Sequence, residues 1–258
     1  MQVYEVSAFV LHRRPYRETS FLTTFFSASE GKFSAVVKGI KPSRGRGKTS
    51  VQKQAWLQPF RPLQVSWQEK SGQHPDLVTL RQFEPATDYN RFLSLSGEAN
   101  FCGLYMNELL YRLLYPRVAA ESLFDAYQSQ LSALSNLNGE PKDRPQMNWI
   151  LRQFEFQLLQ ELGVPLNVET DLQQRPLVAE KHYFYYPELG ALETKMALEG
   201  FHSSHLPIEI SGECLLALQT WQFCPRCLAA WKKLFRTILS SQLGAKPLMT
   251  RQLFRSLS

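Results

Sequence analysis

The sequence predicts an α+β chain, with an N-terminal OB-fold β-barrel followed by a mainly α-helical domain. Three observations carry that expectation. Up to Glu84-Pro85 the chain reads as short β-rich runs divided by turn chemistry, whereas beyond that point apolar residues recur three and four positions apart. The strand-rich part also holds a basic stretch, Gly31 to Gln68, that contains no Asp or Glu. At 258 residues the chain is long enough for two cores. The boundary is expected near Pro85, with 1–84 a nucleic-acid-binding barrel and 85–258 a helical domain interrupted by an irregular insert at about 164–205.

Val3, Val6, Ala8 and Val10 open the first strand, and Phe21 to Phe26 and Phe33 to Ile40 supply two more, the last alternating Phe33, Ala35, Val37. Turn residues separate them, Arg13-Arg14-Pro15-Tyr16 and Ser29-Glu30-Gly31-Lys32. Leu63 to Trp67 and Leu77 to Phe83 complete a set of five around the polar Glu69-Lys70-Ser71-Gly72-Gln73. Five short strands with a long basic insertion fit an OB-type barrel, although periodicity alone does not separate it from an SH3-like one.

The first long helix is expected from Tyr89 onwards, through Phe92, Leu93, Phe101, Leu104, Tyr105, Leu109 and Leu113. A second follows at Leu123, Phe124, Tyr127, Leu131 and Leu134, stopped by Asn136 to Pro141. A third runs through Met147, Ile150, Leu151, Phe154, Leu158 and Leu162 and ends at Gly163. Each has an apolar stripe to bury, so the three are expected to pack on one another. Beyond them come a short β-like run at His182 to Tyr186, helical spacing in Glu213–Gln222 and Pro225–Leu243, and a basic segment from Lys246 to Arg255.

The basic stretch carries Lys32, Lys38, Lys41, Arg44, Arg46, Lys48, Lys53 and Arg61, and none of the 23 Asp and Glu of the chain, so the whole of the net positive charge resides in it. Its uncompensated charge makes a local positive potential that attracts polyanions. With apolar residues interleaved, the layout is expected to be strand, basic loop, strand. Together with the basic residues of the first turn, the candidate DNA-binding set is Arg13, Arg14, Arg17, Lys32, Lys38, Lys41, Arg44, Arg46, Lys48 and Lys53.

Enzyme signatures are missing: no Gly-rich phosphate loop, no Gly-x-Ser-x-Gly, no His-Glu-x-x-His. The expectation is therefore no catalytic residue, no cofactor and no metal. Cys224-Pro225-Arg226-Cys227 lacks a second pair for zinc and opens a helix rather than following a strand, so structural thiols are favoured over a zinc or redox role. No apolar run approaches the roughly 20 residues that span a bilayer, and the N-terminus lacks signal-peptide order. The chain is expected in the cytoplasm, with Cys102, Cys214, Cys224 and Cys227 reduced.

A resemblance joins these features. Phe9-Val10-Leu11-His12-Arg13-Arg14-Pro15-Tyr16-Arg17-Glu18-Thr19-Ser20, then Gly31-Lys32, Val37-Lys38-Gly39 and Leu57-Gln58-Pro59-Phe60, resemble the RecO family of bacterial recombination mediators. The likeness continues through Gly103-Leu104-Tyr105-Met106-Asn107-Glu108-Leu109-Leu110, Arg152-Gln153-Phe154-Glu155 and Gly244-Ala245-Lys246-Pro247-Leu248, in order along nearly the whole chain. The resemblance implies a non-enzymatic, nucleoid-associated protein of the RecF repair pathway. Such a protein binds single- and double-stranded DNA, anneals strands coated by single-stranded DNA-binding protein and, with RecR, assists RecA loading.

It also implies that the helical part receives the acidic, aromatic-ended tail of single-stranded DNA-binding protein, for which Arg112, Arg117 and Arg152 are candidates. The plainer alternative is that these arginines cap helices or pair with Glu108, Glu121 or Glu155. One departure stands out. Many members carry two Cys-x-x-Cys pairs of a zinc ribbon after the third helix, yet no cysteine occurs here between Cys102 and Cys214. The segment is expected to keep a ribbon-like backbone, with Tyr183-Phe184-Tyr185-Tyr186-Pro187 packing where a metal would otherwise organise it.

Overall fold

Alternating inward and outward side chains in the N-terminal part build strands β1 (Gln2–Tyr16), β2 (Ser20–Ser27), β3 (Gly31–Val37), β4 (Leu63–Glu69) and β5 (Leu77–Pro85). The computed structural model describes residues 2–40, 47–70, 72, 75–87, 95–164, 166–187, 189–193 and 207–256, and for 47–50 and 253–256 the backbone only. The strands close in the order β1-β2-β3-β5-β4, with β4 pairing back to β1. Within the barrel only β3 and β5 run parallel. This closure is the OB arrangement, and it leaves no unpaired edge.

Phe33, Ala35 and Val37 of β3 and Leu63, Val65 and Trp67 of β4 fill the barrel interior with Phe25, Leu80 and Phe83. A register shift in β1 between Val10 and His12 changes which side its residues face. Before it, Val10 points inward while Phe9 packs outside the barrel on Phe124 and Tyr127. The expected basic loop between β3 and β4 is corrected in part: Gly47–Trp56 is a helix, α1. Its Trp56 ring meets Phe83 edge-on at 6.0 Å, and the buried Leu57 follows it into the core. Residues 41–46 lie outside the described part.

Helices α2 (Gly97–Leu113) and α3 (Glu121–Ser135) bury their apolar stripes together and against β1 and β2. The buried Asn107 fixes this packing, because its Nδ2 donates to the Val10 carbonyl at 3.2 Å while its Oδ1 accepts from the Tyr127 hydroxyl at 2.6 Å. Tyr127 is fully shielded from solvent, and burial pushes its hydroxyl pKa far above the ordinary value. Residues 88–94, where the first helix is expected to begin, lie outside the described part.

The chain forms two compact units, Met1–Asp143 with Leu248–Ser258, and Arg144–Pro247. The expectation that the three helices pack as one set is therefore corrected. Helix α4 (Arg144–Glu161) belongs to the second unit, with a three-stranded sheet of β6 (His182–Tyr186), β7 (Gly190–Leu192) and β8 (Ile208–Ser211) in the order β7-β6-β8. That unit also holds α5 (Gly212–Gln219) and α6 (Leu228–Leu243), and α6 packs on α4 and β8. Tyr183, Tyr185 and Tyr186 are buried, in keeping with the apolar packing expected there. The C-terminal basic segment forms α7 (Met249–Ser256), which returns to α2 of the first unit.

Candidate nucleic-acid interface

At one end of the barrel β1 turns into β2 and β3 leaves for α1. The Ile40 N–H donates to the Thr19 carbonyl at 2.9 Å and joins these two segments. Arg14, Arg17 and Lys38 are exposed here, and the Arg17 guanidinium lies 5.2 Å from the Tyr16 ring. Arg13 is half-buried: its Nη1 donates to the Gln54 carbonyl of α1 at 3.1 Å, its guanidinium sits 5.4 Å from the Phe21 ring, and burial lowers its pKa. From α1 the Lys53 ammonium reaches within 5.9 Å of Phe83. Arg13, Arg14, Arg17, Lys38 and Lys53 thus gather at the α1 end of the barrel. Among the described residues, Arg14 and Lys38 have no carboxylate partner. Lys41, Arg44 and Arg46 lie outside the described residues, as does the side chain of Lys48.

Lys32 is placed elsewhere. It is the second residue of β3 whereas Lys38 follows the strand's end, a separation of about 20 Å along the strand. Its Nζ donates to the Tyr111 carbonyl at 2.8 Å, and burial holds its pKa below the ordinary value. This is the barrel end where the α2–α3 connection crosses. Gly31, with φ of +57°, allows the crossing, because a Cβ there would run into the Val118 carbonyl oxygen.

Arg117, a tail candidate in the sequence, closes this same end. Its φ of +61° is in the left-handed region, its N–H donates to the Lys32 carbonyl at 2.8 Å, and its guanidinium enters the mouth of the barrel. There Nη2 donates to Glu69 Oε1 at 2.6 Å and Nη1 lies 3.2 Å from Glu30 Oε2. The rings of Trp67 and Tyr4, stacked on each other at 5.0 Å, lie 5.5 and 5.6 Å from its central carbon. Trp67 adds a hydrogen bond from Nε1 to Glu69 Oε1 at 2.7 Å. Sequence reasoning missed this cluster, though one signal was available. In β4 the inward register reads Leu63, Val65, Trp67, Glu69, and a carboxylate on a buried register requires a cation.

Of the other tail candidates, Arg112 is half-buried in the last turn of α2. Arg152 belongs to the second unit, where it is buried, pairs with Glu155 at 2.6 Å through Nε and Nη2, and lies over the Phe235 ring at 5.8 Å. Glu108 accepts from the backbone N–H groups of Met249 and Thr250 at 2.7 and 2.8 Å and from the Thr250 hydroxyl at 2.6 Å, which caps α7.

The expectation of four reduced cysteines is corrected. Cys214 and Cys227 form a disulfide that ties α5 to the start of α6, while Cys102 and Cys224 are not disulfide-bonded. The Cys-x-x-Cys spacing drew attention to Cys224, but the fold brings Cys214 of α5 to Cys227 instead. A zinc or thiol function for Cys224 and Cys227 as a pair is thus not favoured. Among the described residues, no group of three or more His, Cys, Asp or Glu is arranged to hold a metal, and no helix is long and apolar enough to cross a membrane.

Comparison with known proteins matches two successive stretches of the chain. Residues 1–89 match the family model for the N-terminal part of recombination protein O, and residues 94–252 match that for its C-terminal part. A protein of Alteromonas mediterranea named DNA repair protein RecO is 35% identical over 250 residues, 96% of each chain. Its namesake in Pseudoalteromonas atlantica is 35% identical over 99% of this chain and 95% of its own. One in Pseudomonas paraeruginosa is 36% identical over 96% of this chain and 93% of its own. With both parts matched in order and the OB barrel in place, this chain belongs to the RecO family.

Proposed function

We propose that the chain is a cytoplasmic, nucleoid-associated recombination mediator. It binds single- and double-stranded DNA, anneals strands coated by single-stranded DNA-binding protein and, with RecR, assists RecA loading in DNA repair, without catalysing a reaction or carrying a cofactor. The observation that supports this most directly is the group of cations at the α1 end of the barrel, with Arg14 and Lys38 exposed and lacking a carboxylate partner among the described residues. Annealing needs two polyanions brought together, and a surface that neutralises phosphates lowers their repulsion. Neither a nucleophile nor nucleotide hydrolysis is required. The helical part receives the acidic tail of single-stranded DNA-binding protein. Among the candidates, Arg112 is half-buried in the last turn of α2, and Arg117 and Arg152 pair with carboxylates.

Binding of a labelled single strand to the full chain, titrated across salt, tests this reading. If five phosphates are neutralised, log K falls against log salt with a slope of about −3.5. A slope near zero, or no binding at low salt, overturns it.

A further inference from the structure

Outside Gly31–Gln68 the chain is nearly neutral as a whole, but its charges are not evenly mixed. The stretch from Cys214 to Pro247 carries Arg226, Lys232, Lys233, Arg236 and Lys246 and no Asp or Glu. Three of these cations lie on α6. That helix buries Trp231, Leu234, Phe235, Ile238 and Leu239, and Trp231 meets Trp149 of α4 at 5.1 Å. On its other side Ala229, Lys232, Lys233 and Arg236 are exposed. Their spacing, at i, i+3, i+4 and i+7, puts them in one stripe. Among the described residues, no carboxylate pairs with Lys232, Lys233 or Arg236.

We propose that this stripe is a second nucleic-acid contact, which holds the phosphate backbone of a different strand from the one bound at the barrel. The proposal rests on the DNA-binding function proposed for the barrel and deepens it. Lys232 and Arg236 stand one turn apart, about 6 Å along the helix. A lipid surface fits the stripe less well, because a helix lying on a membrane needs a free apolar face, and the apolar face of α6 is already buried. An acidic peptide ending in an aromatic residue needs a neighbouring apolar groove, and the only apolar residue in the stripe is Ala229. A row of phosphates asks for cations alone. A protein that holds two strands on separate surfaces brings them together without making them compete for one site.

The test uses the full chain and its variant Lys232→Ala/Lys233→Ala/Arg236→Ala, whose exposed positions leave the core packing intact. Protein saturated with one immobilised single strand is challenged with a labelled, non-complementary second strand, and annealing of complementary strands is followed by energy transfer. The wild-type protein captures the second strand. The variant binds the first strand within about twofold of wild type, yet loses about tenfold in capture and in annealing rate, as expected for three lost phosphate contacts. Capture and annealing unchanged in the variant overturn the inference and leave the barrel reading standing. A wild-type protein that binds no first strand overturns both. If the variant loses only binding to phosphatidylserine vesicles, or only binding to an acidic peptide, the stripe serves that ligand and the inference fails.

Discussion

The two ends of the barrel use positive charge in opposite ways. At the end closed by the α2–α3 connection, Arg117 is held by Glu69, Glu30 and two aromatic rings, and Lys32 by a backbone carbonyl. At the α1 end, Arg14 and Lys38 stand exposed. A cation that is buried and paired stabilises the fold but has no donor to offer a ligand; an exposed one contributes little to stability and is free to meet a phosphate. Net charge and local sequence do not separate the two kinds. The inward or outward register of the neighbouring strand does.

The largest effect expected is therefore at Arg117. Arg117→Ala takes the guanidinium away from the buried carboxylate of Glu69, a change that costs about 3–5 kcal/mol. Chemical denaturation measures the loss. Arg117→Lys restores part of it only, because an ammonium cannot reproduce the guanidinium fork or its contact with two rings. DNA affinity measured well below the unfolding transition stays at the wild-type value. A variant with full stability but weakened DNA binding would reverse the assignment of this end.

The opposite variant belongs at the α1 end. Arg14→Ala/Lys38→Ala is expected to leave the unfolding midpoint unchanged within error, since surface changes of this kind fall within about 0.5 kcal/mol. It makes the salt dependence of single-strand binding shallower by about 1.4, at roughly 0.7 for each phosphate no longer neutralised. Lys32→Ala is the control on the same strand. It changes the slope less, because its ammonium already serves the Tyr111 carbonyl.

Much of this fold could be read from the residues, for definite reasons. The β3 run Phe33, Ala35, Val37 alternates because one face is buried, so the strand was legible. Helix α1 was not: in Gly47-Lys48-Thr49-Ser50-Val51-Gln52-Lys53-Gln54-Ala55-Trp56 the apolar residues are too few to mark a stripe, and tertiary contact of Trp56 with Phe83 holds it in place. The stripe on α4 was visible, but a stripe does not name its partner. That partner is α6, which follows only after the whole β6–β8 sheet and α5. The basic candidates were legible as charge alone. Their division between the two barrel ends depends on which strand end each residue occupies, and Arg117 reaches its site through a backbone conformation that its residue type does not advertise.

A smaller effect is expected where the C-terminal segment returns to the barrel-bearing unit. Glu108→Ala removes the acceptor for two backbone N–H groups and one hydroxyl at the start of α7, a capping loss of about 0.5–2 kcal/mol. The change is local. Amide exchange at Met249 and Thr250 is expected to accelerate while β2 and β3 exchange as before. Equal acceleration in the barrel would mean that α7 is part of the cooperative structure of the first unit and not a docked end.

The smallest effect is a pH dependence in the second unit, at a carboxylate that contrasts with Glu69. Asp171 is buried, and its Oδ1 accepts from the backbone N–H groups of Gln173 and Arg175, both at 2.9 Å. Its Oδ2 lies 2.7 and 2.6 Å from Arg175 Nε and Nη2. Burial by itself would raise the carboxyl pKa, but the hydrogen bonds from Arg175 and Gln173 and the charge of Arg175 outweigh it and hold the pKa below the ordinary carboxylate value. A group with a depressed folded-state pKa stabilises fully above its unfolded value, about 3.9, and that stabilisation is lost as pH falls through the folded value. Unlike Arg117, the Arg175 side chain is 49% exposed, so water shares the charge and the stabilisation is smaller. Asp171→Asn is therefore expected to lower the unfolding midpoint at pH 7 by less than Arg117→Ala does, and the difference from wild type should vanish in acid below the folded pKa. If the gap persists unchanged in acid, Asp171 acts through neutral hydrogen bonds alone and the charge of Arg175 contributes nothing there.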